Sequence, residues 1–168
     1  TGYINQDYCD CMKHKIVERQ YRHSNLNRDL THENFEHFCF DYYTSEPDGV
    51  HKLTPRENIE NVYQSLQQYI QHVPEYFEGN NQIKASILFN GTTGVGKTFL
   101  TKCVAKELLD AGYAVLYTSA SNLFQMAADV QLNKNQIEGS QAFLFGMEQC
   151  DFLIIDDLGT ELSNNFTA

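Results

Sequence analysis

The octapeptide Gly91-Thr92-Thr93-Gly94-Val95-Gly96-Lys97-Thr98 fits G-x-x-x-x-G-K-[ST], and no other stretch constrains the fold as tightly. Glycines let the backbone curl until successive N–H groups point into one hollow. Such a hollow suits the β- and γ-phosphate oxygens of a nucleotide. Lys97 adds a compact positive charge, and the Thr98 hydroxyl can ligate Mg²⁺. At average composition the pattern arises by chance in roughly one chain in 200, so its surroundings must support it. Ala85-Ser86-Ile87-Leu88-Phe89-Asn90 is a short apolar run that predicts a strand. After the loop, Phe99, Leu100, Cys103, Val104, Leu108 and Leu109 recur at helical spacing, and Gly112 stands where a helix C-terminal glycine belongs. Strand, loop and helix are the required arrangement.

A second motif follows 59 residues after Lys97. Phe152-Leu153-Ile154-Ile155 is an apolar run closed by Asp156 and Asp157, and it predicts a strand buried on both faces. Its acidic pair falls at the C-terminal end, the edge where open α/β sheets bind ligands. One carboxylate there can hold Mg²⁺ and its neighbour can orient or deprotonate an attacking water. Between the motifs, residues 113–118 predict another strand. Ser119 or Ser121 can cap a following helix, and a further helix is expected over 140–149. The order β, loop, α, β, α, α, β implies a parallel sheet with helical crossovers.

Net charge is −10, unevenly spread. Residues 1–28 carry Lys13, Lys15, Arg19, Arg22 and Arg28 against Asp7, Asp10 and Glu18, so the remainder is strongly acidic. Such a body excludes strong non-specific binding to nucleic acid; any DNA contact must be local or made by an assembly. No apolar run approaches the ~20 residues of a membrane span. The odd set Cys9, Cys11, Cys39, Cys103 and Cys150 reads as a reducing, cytoplasmic protein, with Cys103 and Cys150 as buried thiols. The chain opens with Thr and stops eleven residues after Asp157, and is expected to be incomplete.

The first eighty residues carry weaker signals. Cys9 and Cys11 can bind zinc only with two further ligands, of which His14 is one candidate; two free thiols are the plainer reading. Residues 11–22 predict a helix. Phe35, Phe38, Phe40, Tyr42 and Tyr43 form an aromatic segment that can flank an adenine ring or pin the segment to the domain, and Phe38 to Tyr42 predicts a short extended piece. Thr54-Pro55-Arg56-Glu57 is a helix start with a capping box, and the helix is expected to end at Pro74. Residues 78–82 form a polar link. The expected domains are an N-terminal extension, 1–29, and a nucleotide-binding domain, 30–168.

Four stretches together resemble the DnaC/DnaI-like loaders of bacterial replicative helicases, within the AAA+ class. They are Thr1-Gly2-Tyr3-Ile4 with Cys9-Asp10-Cys11, Glu33-Asn34-Phe35 through Phe40-Asp41-Tyr42-Tyr43, Ile87 through Leu100, and Leu153 through Glu161. The resemblance implies an α/β P-loop fold of AAA+ type, a parallel sheet flanked by helices and cut short after its Walker B strand. It implies that Gly91, Thr92, Thr93, Gly94, Val95, Gly96, Lys97, Thr98 and Phe99 hold ATP or ADP. Thr98 and Asp156 would hold Mg²⁺, and Asp157, with Lys97, would serve catalysis of hydrolysis. The implied partners are a replicative DNA helicase, single-stranded DNA within the assembly and further copies of the chain, with no membrane. Relatives carry a Cys-x-x-Cys ahead of the Thr-Gly-Tyr that would complete a zinc site with Cys9 and Cys11; that half is absent here. The last arginine is Arg56, so this chain alone is expected to be a poor ATPase. Two other readings share the motifs: a transposition-associated ATPase of the IstB-like group, and a nucleotide-binding adaptor with little hydrolysis.

Overall fold

The computed structural model describes residues 8–26, 30, 32–77, 86–131 and 137–159. Thr1 to Ile4, the link 78–82, Ala85, Thr160 and Glu161 lie outside the described residues. Among the described residues five α-helices and two strands follow one another as α1 (Asp10–His23), α2 (Pro55–Phe77), α3 (Lys97–Asp110), β1 (Val115–Ser119), α4 (Ala120–Gln131), α5 (Ile137–Gln149) and β2 (Phe152–Asp156). Two compact units divide the chain: residues 31–104 form one, and residues 1–30 with 105–168 form the other.

The unit 31–104 is built on aromatic packing. Phe38 to Tyr42, expected to be extended, instead holds a 3₁₀ turn at Phe40–Tyr42, preceded by another at Phe35–His37. Asn34 caps the first, its side-chain oxygen accepting from the His37 N–H at 3.1 Å. The turns bring alternate rings together. Phe38 meets Phe40 (4.9 Å between centroids), Tyr63 of α2 (5.5 Å) and Phe99 of α3 (5.9 Å), and Phe35 meets Tyr63 edge-on at 5.2 Å. Phe35 is buried, Phe38, Phe40 and Tyr43 are half-buried, and Tyr42 stays exposed.

Helix α2 starts as its sequence predicts. The Glu57 N–H donates to Thr54 Oγ1 (3.2 Å), and the Thr54 N–H donates back to Glu57 Oε2 (2.8 Å). The far end differs from expectation, because the helix runs through Pro74 to Phe77. Pro74 has no N–H to donate to the Ile70 carbonyl four residues back, so one helical bond is missing there while the helix continues for three more residues.

In the other unit β1 and β2 pair in parallel, from Val115 opposite Phe152 to Ser119 opposite Asp156. Leu108, Leu109, Val115, Leu116 and Ala120 form its apolar core. Helix α3 closes through Gly112 (φ +86), whose N–H reaches Leu109 O while the Tyr113 N–H reaches Leu108 O. Ser119 caps α4, accepting from the Asn122 N–H at 3.2 Å. Helix α1 ends beside β1, where the Tyr117 N–H donates to Ser24 O at 2.9 Å. Strand β2 is less covered than expected: Leu153 is exposed and its other residues are half-buried. Among the described residues it has a ladder partner on one side only. Residues 86–90 carry no strand hydrogen bonding, and Leu88 is largely exposed. A strand needs a ladder as well as an apolar run, and among the described residues this run has none. Cys103 is buried as expected; Cys150 is only half-buried, with its thiol pushed up chiefly by burial.

The capping box gives a direct test. Thr54→Ala is expected to lower unfolding stability by about 1 kcal/mol in urea titrations at neutral pH. Hydrogen bonds from the Thr54 backbone, then its side chain, hold the Glu57 carboxyl below its ordinary value. Its stabilisation is complete above an unfolded pKa of about 4.3 and is lost as pH falls through the folded value. Glu57→Ala should therefore cost less at pH 3 than at pH 7; equal cost at both would remove the ionised carboxylate from the account.

Candidate functional site

The loop from Gly91 to Lys97 turns the chain into α3. Gly94 (φ +84) and Gly96 (φ +89) take left-handed backbone that side chains resist. Gly96 has a second reason to be glycine: a Cβ there would stand 2.7 Å from the Tyr43 hydroxyl oxygen. Lys97 folds back over the loop, its Nζ donating to Gly91 O (2.9 Å) and Thr92 O (2.8 Å). Those bonds hold the ammonium within the curl. The N–H groups opening α3 have no earlier helical carbonyl to bind, and with the helix dipole they favour an anion at this end. Thr98 lies in the first turn, and its residue is exposed. Phe99 turns instead to the aromatic cluster, against Phe38.

Three flanking interactions were not legible in the motif. The Tyr43 hydroxyl donates to Val95 O at 3.0 Å, and burial pushes this phenol up, so it stays a donor at ordinary pH. Glu33 pairs with Lys102 on α3 at 2.5 Å. Arg56 lies over the Phe40 ring at 5.1 Å and reaches Asp41 at 3.2 Å. Only the density of aromatics ahead of the loop hinted at the first.

The acidic pair belongs to the other unit. Asp156 ends β2, and both its carboxylate oxygens have donors: the Tyr117 hydroxyl on Oδ2, and the Asp157 N–H on Oδ1 at 3.0 Å. Tyr117 went unnoticed in the sequence because strand spacing alone does not say which hydroxyl reaches a carboxylate one strand away. Asp157 is exposed and holds φ +55, a conformation that Asp tolerates better than most residues but that still costs energy. Carboxylate and hydroxyl oxygens suit a hard cation such as Mg²⁺.

Cys9 and Cys11 lie together at the start of α1, Sγ to Sγ 2.8 Å, and both are exposed. The hydrogen bond from Cys11, then the backbone at Met12, pulls the Cys9 thiol down. Among the described residues no group of three or more His, Cys, Asp or Glu could hold a metal. No helix of the described residues is long and apolar enough to cross a membrane.

A family model described as IstB-like ATP binding protein matches residues 77–165. The chain is 29% identical over 106 residues to the replicative helicase loader DnaC of Escherichia coli strain K12, covering 63% of this chain and 40% of that protein. It is 26% identical over 92 residues to DnaC of Buchnera aphidicola subsp. Baizongia pistaciae, covering 55% of this chain and 37% of the relative. The chain thus spans about two fifths of the length of these curated relatives. No solved structure matches it.

Gly96→Ala should weaken Mg-ADP binding at least tenfold in calorimetry. A left-handed backbone costs a side chain roughly 1–2 kcal/mol, and the new methyl also meets Tyr43. Wild-type affinity would show that the loop does not need this conformation to bind.

Proposed function

The chain belongs to the IstB-like ATP binding protein family, and from that premise we propose that it is the Mg-ATP-binding part of an ATPase that loads a replicative helicase onto DNA. The observation that carries the nucleotide reading is the phosphate loop itself, with glycines at left-handed φ and Lys97 folded over its curl. The partner reading rests on similarity to proteins named replicative helicase loaders.

In the proposed mechanism the loop N–H groups and those opening α3 bind the β- and γ-phosphates. Lys97 exchanges its two carbonyl contacts for phosphate oxygens. On the two sequence motifs, Thr98 and Asp156 would each offer an oxygen ligand for Mg²⁺, which would neutralise charge on the phosphates. Tyr117 fixes the Asp156 carboxylate. Asp157 orients the water that attacks the γ-phosphorus in line with the departing ADP. Positioning and charge neutralisation supply the catalysis, so the rate depends on cations near the leaving oxygen. An arginine finger contributes roughly 10³–10⁵ in rate, and no arginine follows Arg56 in this sequence. Asp157 is a methylene shorter than a glutamate, so slow turnover is expected, which suits a switch that changes partner affinity with nucleotide state. Zinc has no part in the proposal.

The family match favours one second reading, an ATPase acting with a transposase. Co-purification decides between the two: a helicase retained in an ATP-dependent manner supports the loader, and a transposase in its place overturns it.

Lys97→Ala and Thr98→Ala are expected to abolish Mg-ATP binding in calorimetry without changing the circular dichroism spectrum. Wild-type affinity in both would remove the site. Asp156→Ala should weaken Mg²⁺-dependent binding, whereas Asp157→Asn, which tolerates the same backbone, should bind normally and slow phosphate release. Equal loss of binding in the two variants would contradict this division of roles.

A further inference from the structure

We propose that Tyr43 is a positioning residue for the nucleotide phosphates, acting through the Val95 carbonyl to aim the Gly96 N–H; the proposal rests on the phosphate-loop reading above. The argument begins with the peptide bond. A trans peptide is planar, so its C=O and N–H point in opposite directions. The Val95 carbonyl and the Gly96 N–H share one such peptide, and no peptide bond among the described residues is cis. By donating to Val95 O, the Tyr43 hydroxyl holds that oxygen on its own side and turns the Gly96 N–H to the other side. A free loop peptide can flip between two such orientations, and a flipped one would present a carbonyl oxygen to phosphate, which repels it.

The hydroxyl is held in place independently of the loop. The Tyr43 N–H closes the 3₁₀ turn on Phe40 O at 3.0 Å, and the next residue, Thr44, accepts from the Arg56 N–H at the start of α2, also at 3.0 Å. The Tyr43 ring stacks on Phe38 at 6.0 Å with 20° between planes, and Phe38 is packed on Tyr63 and Phe99. Aromatic cluster, turn and helix start therefore act as a fixed mount for one hydroxyl. Gly96 leaves the space that hydroxyl needs. A ring that served only as apolar packing would have no use for a donor at this carbonyl.

The test uses the whole chain with Mg-ADP as probe, and compares wild type, Tyr43→Phe and Lys97→Ala. Tyr43→Phe keeps the ring and removes the hydroxyl. It is expected to weaken Mg-ADP binding about fivefold in calorimetry, the worth of one hydrogen bond. In amide NMR spectra, the downfield movement of the Gly96 N–H on adding Mg-ADP should shrink in Tyr43→Phe compared at saturation. A merely structural role for the ring would leave both readouts at wild-type values. Wild-type affinity and amide shift in Tyr43→Phe, with binding lost in Lys97→Ala, would overturn the role of Tyr43 and leave the phosphate loop standing. Absence of Mg-ADP binding by wild type would remove the loop reading, and Tyr43 with it.

Discussion

Within eight residues the chain must leave the run at 86–90, curl, and enter α3. That reversal constrains everything around it. It needs left-handed backbone at Gly94 and Gly96, and it brings the Val95 carbonyl to face an outside donor. An exposed curl of this kind has little to hold it by itself. Its own lysine ties two of its carbonyls, and Tyr43 ties a third. The loop is thus braced from within by a residue of the motif and from without by one that precedes it by about fifty positions.

The bracing explains an otherwise odd stretch of sequence. Glu33, Asn34 and Phe35 look unremarkable in composition, yet each has a distinct task. Glu33 pairs with Lys102, Asn34 caps a 3₁₀ turn and Phe35 is buried against Tyr63. The second turn then delivers Tyr43. Tight 3₁₀ geometry, rather than a strand, lets neighbouring rings reach different partners within so few residues. Arg56 covers one of those rings while bonding Asp41 and Glu60, so the start of α2 and the aromatic segment fix one another.

In the second unit the parallel register does comparable work. Pairing Ser119 with Asp156 sets both strand ends at one level, and it brings Tyr117 within reach of the carboxylate. Each strand end serves more than pairing: Ser119 caps α4, and Asp156 passes the chain to a strained Asp157. A carboxylate with donors on both oxygens is held in one orientation.

Much was legible before any coordinates. The phosphate loop, the acidic pair, the capping box at Thr54 and Glu57, the cap at Ser119 and the close at Gly112 all depend on residues within a few positions of one another. Short-range spacing is what a sequence displays directly, and the family's ATP-binding character follows from the same local motifs. Solvent cover and through-space partners were not legible. The runs at 86–90 and 152–156 look alike as apolar strings, yet only the second has a ladder among the described residues. Phe38 to Tyr42 alternates enough to suggest extension, but packing among its rings favours turns. Tyr43 to Val95 spans 52 positions, Tyr117 to Asp156 spans 39 and Glu33 to Lys102 spans 69. The sequence by itself determined where the chain could turn and where its helices could be capped, because those acts need particular backbone freedom and side-chain reach within one or two turns. Only the tertiary structure decided which distant hydroxyl or ammonium meets each carbonyl or carboxylate, because a hydrogen bond requires two groups within about 3 Å, and spacing along a chain does not set distance in space.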